Sequence, residues 1–213
     1  MENATSNLEA ISERIRASFA AKDASREKAL RMCREVIRNS ALAIRAIHRG
    51  EFDNGQSHLD DAQQLLKDIR ETLTPYNELA SAGFVHDCQK EFAEGSITMA
   101  LVTGKMLPEP ENLGVNYPAY LNGLGEAVGE LRRYLLDSIR KGDLAYCEEI
   151  LSHMDAMYST MVTIDFPDAL TGGLRRTTDV VRGILEKTRS ELTLIVRQQK
   201  LEQRLEEILS QPK

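Results

Sequence analysis

The chain has 213 residues, of which 42% are apolar and 5% aromatic, with no tryptophan and a net charge of −6. That length can bury one substantial core, and the mild acidity argues against a wholly basic nucleic-acid module. No run approaches the ~20 apolar residues of a membrane span, no apolar signal segment opens the chain, and Cys33, Cys88 and Cys147 are too scattered for a usual zinc site.

A soluble, cytoplasmic protein that enters no membrane is therefore expected. Leu, Ala, Glu, Arg and Ile dominate, and no run alternates β-branched residues. The expected class is all-α, in a single domain over 1–213.

Leu8, Ile11, Ile15 and Phe19 recur at helical spacing and predict a first helix over about 7–21. Asp23 or Ser25 then reads as an N-cap opening a second helix over about 24–48. There Ala29, Cys33, Val36, Ile37, Ile44 and Ile47 gather on one face. Arg31, Arg34, Arg38, Arg45 and Arg49 fall within about 60° of one another on the opposite face. Between Lys22 and Arg49 stand eight basic residues and three acids. The stripe reads either as a solvated face with surface ion pairs or as a phosphate-binding track. Arginine favours the track, because its planar fork contacts phosphate bidentately. The lack of aromatics for base stacking on this helix disfavours it.

Gly50 ends that helix, 51–55 is expected as a turn, and a polar helix follows over about 57–73, stopped by Pro75. The next helix, over about 79–105, carries Asp87, Glu91 and Glu94 at steps of four and three, which shares one face. The uncharged run from Gly95 to Val102 predicts burial on most sides, so acids on this helix need a reason. Residues 108–112 are expected as a loop.

A helix over 117–141 begins with Pro118 in its first turn. Gly123, Gly125 and Gly129 lie inside it, each costing roughly 1 kcal/mol against alanine, and are expected where another helix or a ligand comes close. Glu126 and Glu130 sit among them, one turn apart. Arg132, Arg133, Arg140 and Lys141 follow, suited to phosphate or to the helix C-terminus. A helix over about 144–164 supplies Leu151, Met154, Met157 and Met161 to the core, with His153 structural. After a turn at 165–168, a long helix runs from about Leu170 towards Gln211. Its charged end, from Arg197 to Lys213, either projects for assembly or frays.

Four acids, Glu91, Glu94, Glu126 and Glu130, aimed inward from two helices would repel one another and lose hydration. A divalent cation relieves both. Carboxylates without His or Cys suit Mg²⁺ or Mn²⁺. A di-iron centre would need Glu-x-x-His motifs, which are missing, as are a P-loop, a dinucleotide fingerprint and a nucleophile elbow. The enzyme class left is metal-assisted hydrolysis of a phosphoester, in which the bound cation holds the phosphate and activates water. The competing structural reading is that the acids merely solvate a helix face. The chemistry needs no ribose 2′-hydroxyl, so it does not choose RNA over DNA.

Particular stretches resemble the translin/TRAX family, and its archaeal and bacterial TRAX-like members most: Gln89-Lys90-Glu91-Phe92-Ala93-Glu94, Tyr120-Leu121-Asn122-Gly123-Leu124 running into Gly129-Glu130-Leu131-Arg132-Arg133, and Gly142-Asp143. The resemblance extends over nearly the whole chain, from Asp23. It implies a translin-like bundle of about seven helices assembled as a hollow homo-oligomer, typically an octamer. It also implies a Mg²⁺-dependent endoribonuclease acting on single-stranded RNA, and on single-stranded DNA as a further candidate, inside the cavity. The catalytic and metal-binding acids then map to Glu91, Glu94 and Glu126, with Glu130 beside them. RNA contacts fall to Arg31, Arg34, Arg38, Arg45, Arg132 and Arg133. The family often has another acid where this chain has Cys88, and Asp87 is turned by about 100° from that position. The translin branch implies the alternative, a non-catalytic single-stranded nucleic-acid-binding oligomer.

Overall fold

The computed structural model describes residues 5–210, and every described element is helical. Six long helices carry the architecture: α1 (Leu8–Arg49), α2 (Phe52–Leu73), α4 (Gly83–Val102), α6 (Tyr117–Lys141), α7 (Leu144–Val162) and α9 (Leu174–Ser210). Three single turns join them: α3 (Asn77–Ala80), α5 (Pro110–Leu113) and α8 (Asp168–Thr171). No helix among the described residues is long and apolar enough to cross a membrane.

The two helices expected over 7–21 and 24–48 are one helix of 42 residues. Asp23 and Ser25 do not cap, because no glycine or proline between Leu8 and Arg49 interrupts the backbone ladder. The Ser25 hydroxyl instead donates back to the Ala21 carbonyl within the helix. Gly50, at φ 75°, ends α1 in the left-handed conformation. The expected turn at 51–55 is mostly helix, since α2 already starts at Phe52. The helix expected over 79–105 is shorter, and a separate turn of helix precedes it. Part of the loop expected at 108–112 forms α5, with Pro110 in its first turn. The last helix starts at Leu174, because Gly172 and Gly173, at φ 62° and 84°, break it from α8. Gln211 and the residues after it lie outside the described residues.

The core explains which helix lies where. α4 packs against α1, α2 and α6, while α6 packs against α4, α7 and α9. From Phe92 to Val102 every residue of α4 is buried, as its uncharged run requires. Ala29, Cys33, Val36, Ile44 and Ile47 of α1 are buried as their shared face predicts, while Ile37 lies at the edge and stays exposed. Both chain-terminal helices outrun the core. Leu8, Ile15 and Phe19 on α1 are exposed, as are Leu194, Leu201 and Ile208 on α9.

Two glycines let α6 pack closely on its neighbours, Gly123 against α4 and Gly125 against α7 and α9. A Cβ on Gly123 would lie 2.7 Å from the Lys90 carbonyl and 2.8 Å from Ala93 Cβ. One on Gly125 would lie 2.3 Å from Thr177 Cγ2 of α9. Gly129 faces open space, so close approach does not explain it. Asn122 locks the start of α6, donating to the Pro118 and Thr171 carbonyls and accepting from the Thr177 hydroxyl.

Candidate metal centre

The α4–α6 crossing brings together three of the four expected acids. One carboxylate oxygen from each of Glu91, Glu94 and Glu126 lies within 4.8 Å of the other two. Glu91 and Glu94 share a face of α4 by helical spacing. Glu126 reaches them from α6 because Gly123, one turn earlier, lets the two backbones touch. Glu94 is only 9% exposed, and its carboxylate has no hydrogen bond or ion pair among the described residues. That is a costly state for an acid.

The electrostatics follow. Desolvation, then the charges of Glu126, Glu91 and Glu130, push the Glu94 carboxyl up to about 8. Desolvation, then Glu126, also raises Glu91. Lys90 answers part of this charge. Its ammonium donates to Glu126 Oε1 at 2.6 Å and lies 3.8 Å from Glu91 Oε1. Burial works to lower the Lys90 pKa, but the hydrogen bond to Glu126 and the nearby carboxylates outweigh it and leave it raised.

Glu130, expected to join the same cluster, is engaged elsewhere. Its Oε2 is hydrogen-bonded to His48 Nε2 at the end of α1, and Arg133 stands 3.8 Å away. The bond to His48 is the main reason its carboxyl lies below the usual range, against the opposing effect of burial. Asp87 is exposed and takes no part in the three-carboxylate group. Cys88 points into the α1–α4 interface, where its thiol meets Cys33 Sγ at 3.2 Å and the Val85 carbonyl.

The donor set fits a hard divalent cation. Three carboxylate oxygens converge, and no histidine or thiolate joins them in the group. The sequence reading missed Lys90 and His48. Lysine next to Glu91 was the only signal for the first, and nothing local pointed to the second.

The arginines divide into two groups. Arg31, Arg34 and Arg45 are exposed and make no ion pair among the described residues, while Arg38 stands 3.4 Å from Glu35. Arg132 is engaged within the fold. It donates to Thr188 Oγ1 and to Glu191 Oε2 at 2.8 and 2.7 Å, tying α6 to α9, because its helical position turns it to that interface. Arg133 is exposed beside Glu130.

No protein-family model matches the chain. An uncharacterized protein of Methanocaldococcus jannaschii is 29% identical over 195 residues, spanning 89% of this chain and 85% of that protein. Two solved structures of AfC3PO, one of them a complex with duplex RNA, are 33% and 32% identical. Each gives a TM-score of 0.76 and covers 86% of this chain and 95% of its own. Apo-NeC3PO, at 20% identity and a TM-score of 0.76, covers 91% of this chain and 99% of its own, and shares the fold.

Proposed function

We propose that this chain, which belongs to the translin/TRAX family, is a metal-dependent endoribonuclease that hydrolyses the RNA phosphodiester backbone. The observation that carries the reading is the convergence of Glu91, Glu94 and Glu126, one carboxylate oxygen of each lying within 4.8 Å of the other two, with Glu94 only 9% exposed. Glu91, Glu94 and Glu126 would hold Mg²⁺ or Mn²⁺. When bound, the cation supplies positive charge for the phosphate and a water of lowered pKa.

The chain's own residues do the rest. The Gly123 contact fixes the three carboxylates relative to one another. His48 keeps Glu130 ionised at the margin of the site, where its charge acts on Glu94. Arg31, Arg34 and Arg45 offer unpaired guanidinium groups to backbone phosphates. AfC3PO has been solved with duplex RNA, which supports RNA as the polymer. Single-stranded RNA is the form proposed as substrate here, with single-stranded DNA as a competitor. Self-association is supported by the exposed apolar positions on α1 and α9, and a hollow homo-octamer is the assembly proposed.

The test is a gel assay of labelled single-stranded RNA with Mg²⁺, Mn²⁺ or EDTA, comparing wild type with Glu126→Gln. Cleavage that needs metal and is lost in the variant is expected. A second reading, a non-catalytic nucleic-acid-binding oligomer, is favoured by the unpaired arginines of α1. It predicts a salt-sensitive shift that persists in EDTA and leaves the RNA intact in every lane.

A further inference from the structure

We propose that Lys90 is the resident cation of the carboxylate site: in the metal-free protein its ammonium neutralises Glu126 and Glu91, and a divalent cation enters by displacing it. The inference rests on the metal-centre reading above.

The helix crossing supplies the reach. At Gly123 the α6 backbone touches the Lys90 carbonyl. Glu126 lies one turn further along α6, on the neighbouring face. A lysine leaving α4 at that point extends along α6 and meets Glu126, where Nζ donates to Oε1 at 2.6 Å. Its second carboxylate, Glu91, is 3.8 Å away. The Lys90 side chain is 21% exposed and that of Glu91 31%, so the pairing is partly withdrawn from water and less screened than a surface pair.

The arrangement neutralises the site incompletely. Lys90 contacts Glu126 and Glu91 but makes no hydrogen bond or ion pair with Glu94, which is 9% exposed. A divalent cation held by all three carboxylates would reach Glu94 and would compete with the ammonium for the negative charge of Glu126. It would also bring a second positive charge next to the ammonium, in surroundings where like charges repel more strongly than in bulk water. Lys90 and the metal therefore exclude one another. The lysine sets how tightly the site binds metal and keeps the acids from repelling one another when metal is absent.

The experiment measures Mn²⁺ binding to the whole protein by electron paramagnetic resonance of the free ion. It compares wild type, Lys90→Met and Lys90→Arg. The methionine variant should bind Mn²⁺ about tenfold more tightly, the factor that ~1.4 kcal/mol of lost competition represents. The arginine variant, which keeps the charge, should stay near wild type. A second readout needs no substitution. Reductive methylation of the Lys90 amine, followed by peptide mass spectrometry, should speed up when wild-type protein is saturated with Mn²⁺. Mn²⁺ binding by Lys90→Met that is no tighter than wild type overturns the proposal and leaves the metal centre standing. So does a methylation rate that Mn²⁺ does not change. Absence of Mn²⁺ binding in all three proteins overturns both the proposal and the metal-centre reading.

Discussion

His48 Nε2 at the end of α1 and Glu130 Oε2 in α6 are hydrogen-bonded across 82 positions of sequence. The side chains are 5% and 25% exposed. Because Glu130 is stabilised in its charged form, its contribution to stability is present above the unfolded carboxylate pKa. It is lost as pH falls through the lower folded value. His48→Ala should cost ~1–3 kcal/mol at neutral pH by urea denaturation, and the deficit should shrink in acid. A deficit independent of pH would argue that His48 contributes packing alone.

Glu94 has the opposite sign. Its carboxyl is raised to about 8 by desolvation first and by neighbouring acids second. A group raised on folding lends stability below its unfolded pKa and loses it as pH rises through the folded value. The metal-free protein should lose at most about 5 kcal/mol from this group across that window, and Glu94→Gln should flatten the decline. Metal needs the deprotonated acid, so Mn²⁺ should raise Tm more at about pH 8.5 than at about pH 6. An equal rise at both would sink this account.

The interior glycines of α6 should behave in opposite ways. Gly123→Ala would drive a methyl group into the Lys90 carbonyl and Ala93. It should cost ~1–3 kcal/mol by overpacking and weaken Mn²⁺ binding by spreading the two acid-bearing helices. Gly129→Ala meets nothing within 4 Å and should gain up to ~1 kcal/mol from helix propensity. Thermal unfolding of both variants decides, and a destabilised Gly129→Ala would contradict the open space seen at that position.

Two sets of arginines should separate binding from stability. Replacing Arg31, Arg34 and Arg45 together by alanine should leave stability within about 1 kcal/mol while lowering RNA affinity and the salt slope, by up to ~0.7 per lost phosphate contact on a single strand. Arg132→Ala should instead cost ~1–3 kcal/mol, because it strands the partly buried Glu191 contact. A filter-binding salt titration beside a denaturation curve distinguishes them. Unchanged RNA affinity in the triple variant would remove the stripe from the binding surface.

Cys88→Asp would place a further acid three residues before Glu91, but the pocket does not suit it. The thiol is fully buried between Cys33 and the Val85 carbonyl. A carboxylate there would be unpaired and should cost ~3 kcal/mol or more, with no gain in Mn²⁺ affinity by calorimetry. Tighter Mn²⁺ binding in that variant would mean that position 88 can turn towards the acids.

The helical class and the apolar faces were legible in the sequence, because 3.6-residue periodicity is a local property. Cys33, Val36, Ile44 and Ile47 declared the buried side of α1. The uncharged run after Glu94 declared α4 as central, and Glu91, Glu94 and Glu126 were recognisable as acids out of keeping with their neighbours. The join of the first two helices was not legible, because Asp23 and Ser25 cap only where the backbone stops, and nothing there stops it. Nor was the partition of the fourth acid. Glu126 and Glu130 look equivalent one turn apart on α6, yet the end of α1 brings His48 to one and α4 brings Lys90 to the other. Likewise Arg132 and Arg31 are both arginines on polar helix faces, but only α9 packed alongside could turn one of them into a structural tie. Spacing determines which side chains share a face. Only the packing of distant helices decides which face meets which, and so whether a charge finds a partner, water or a metal.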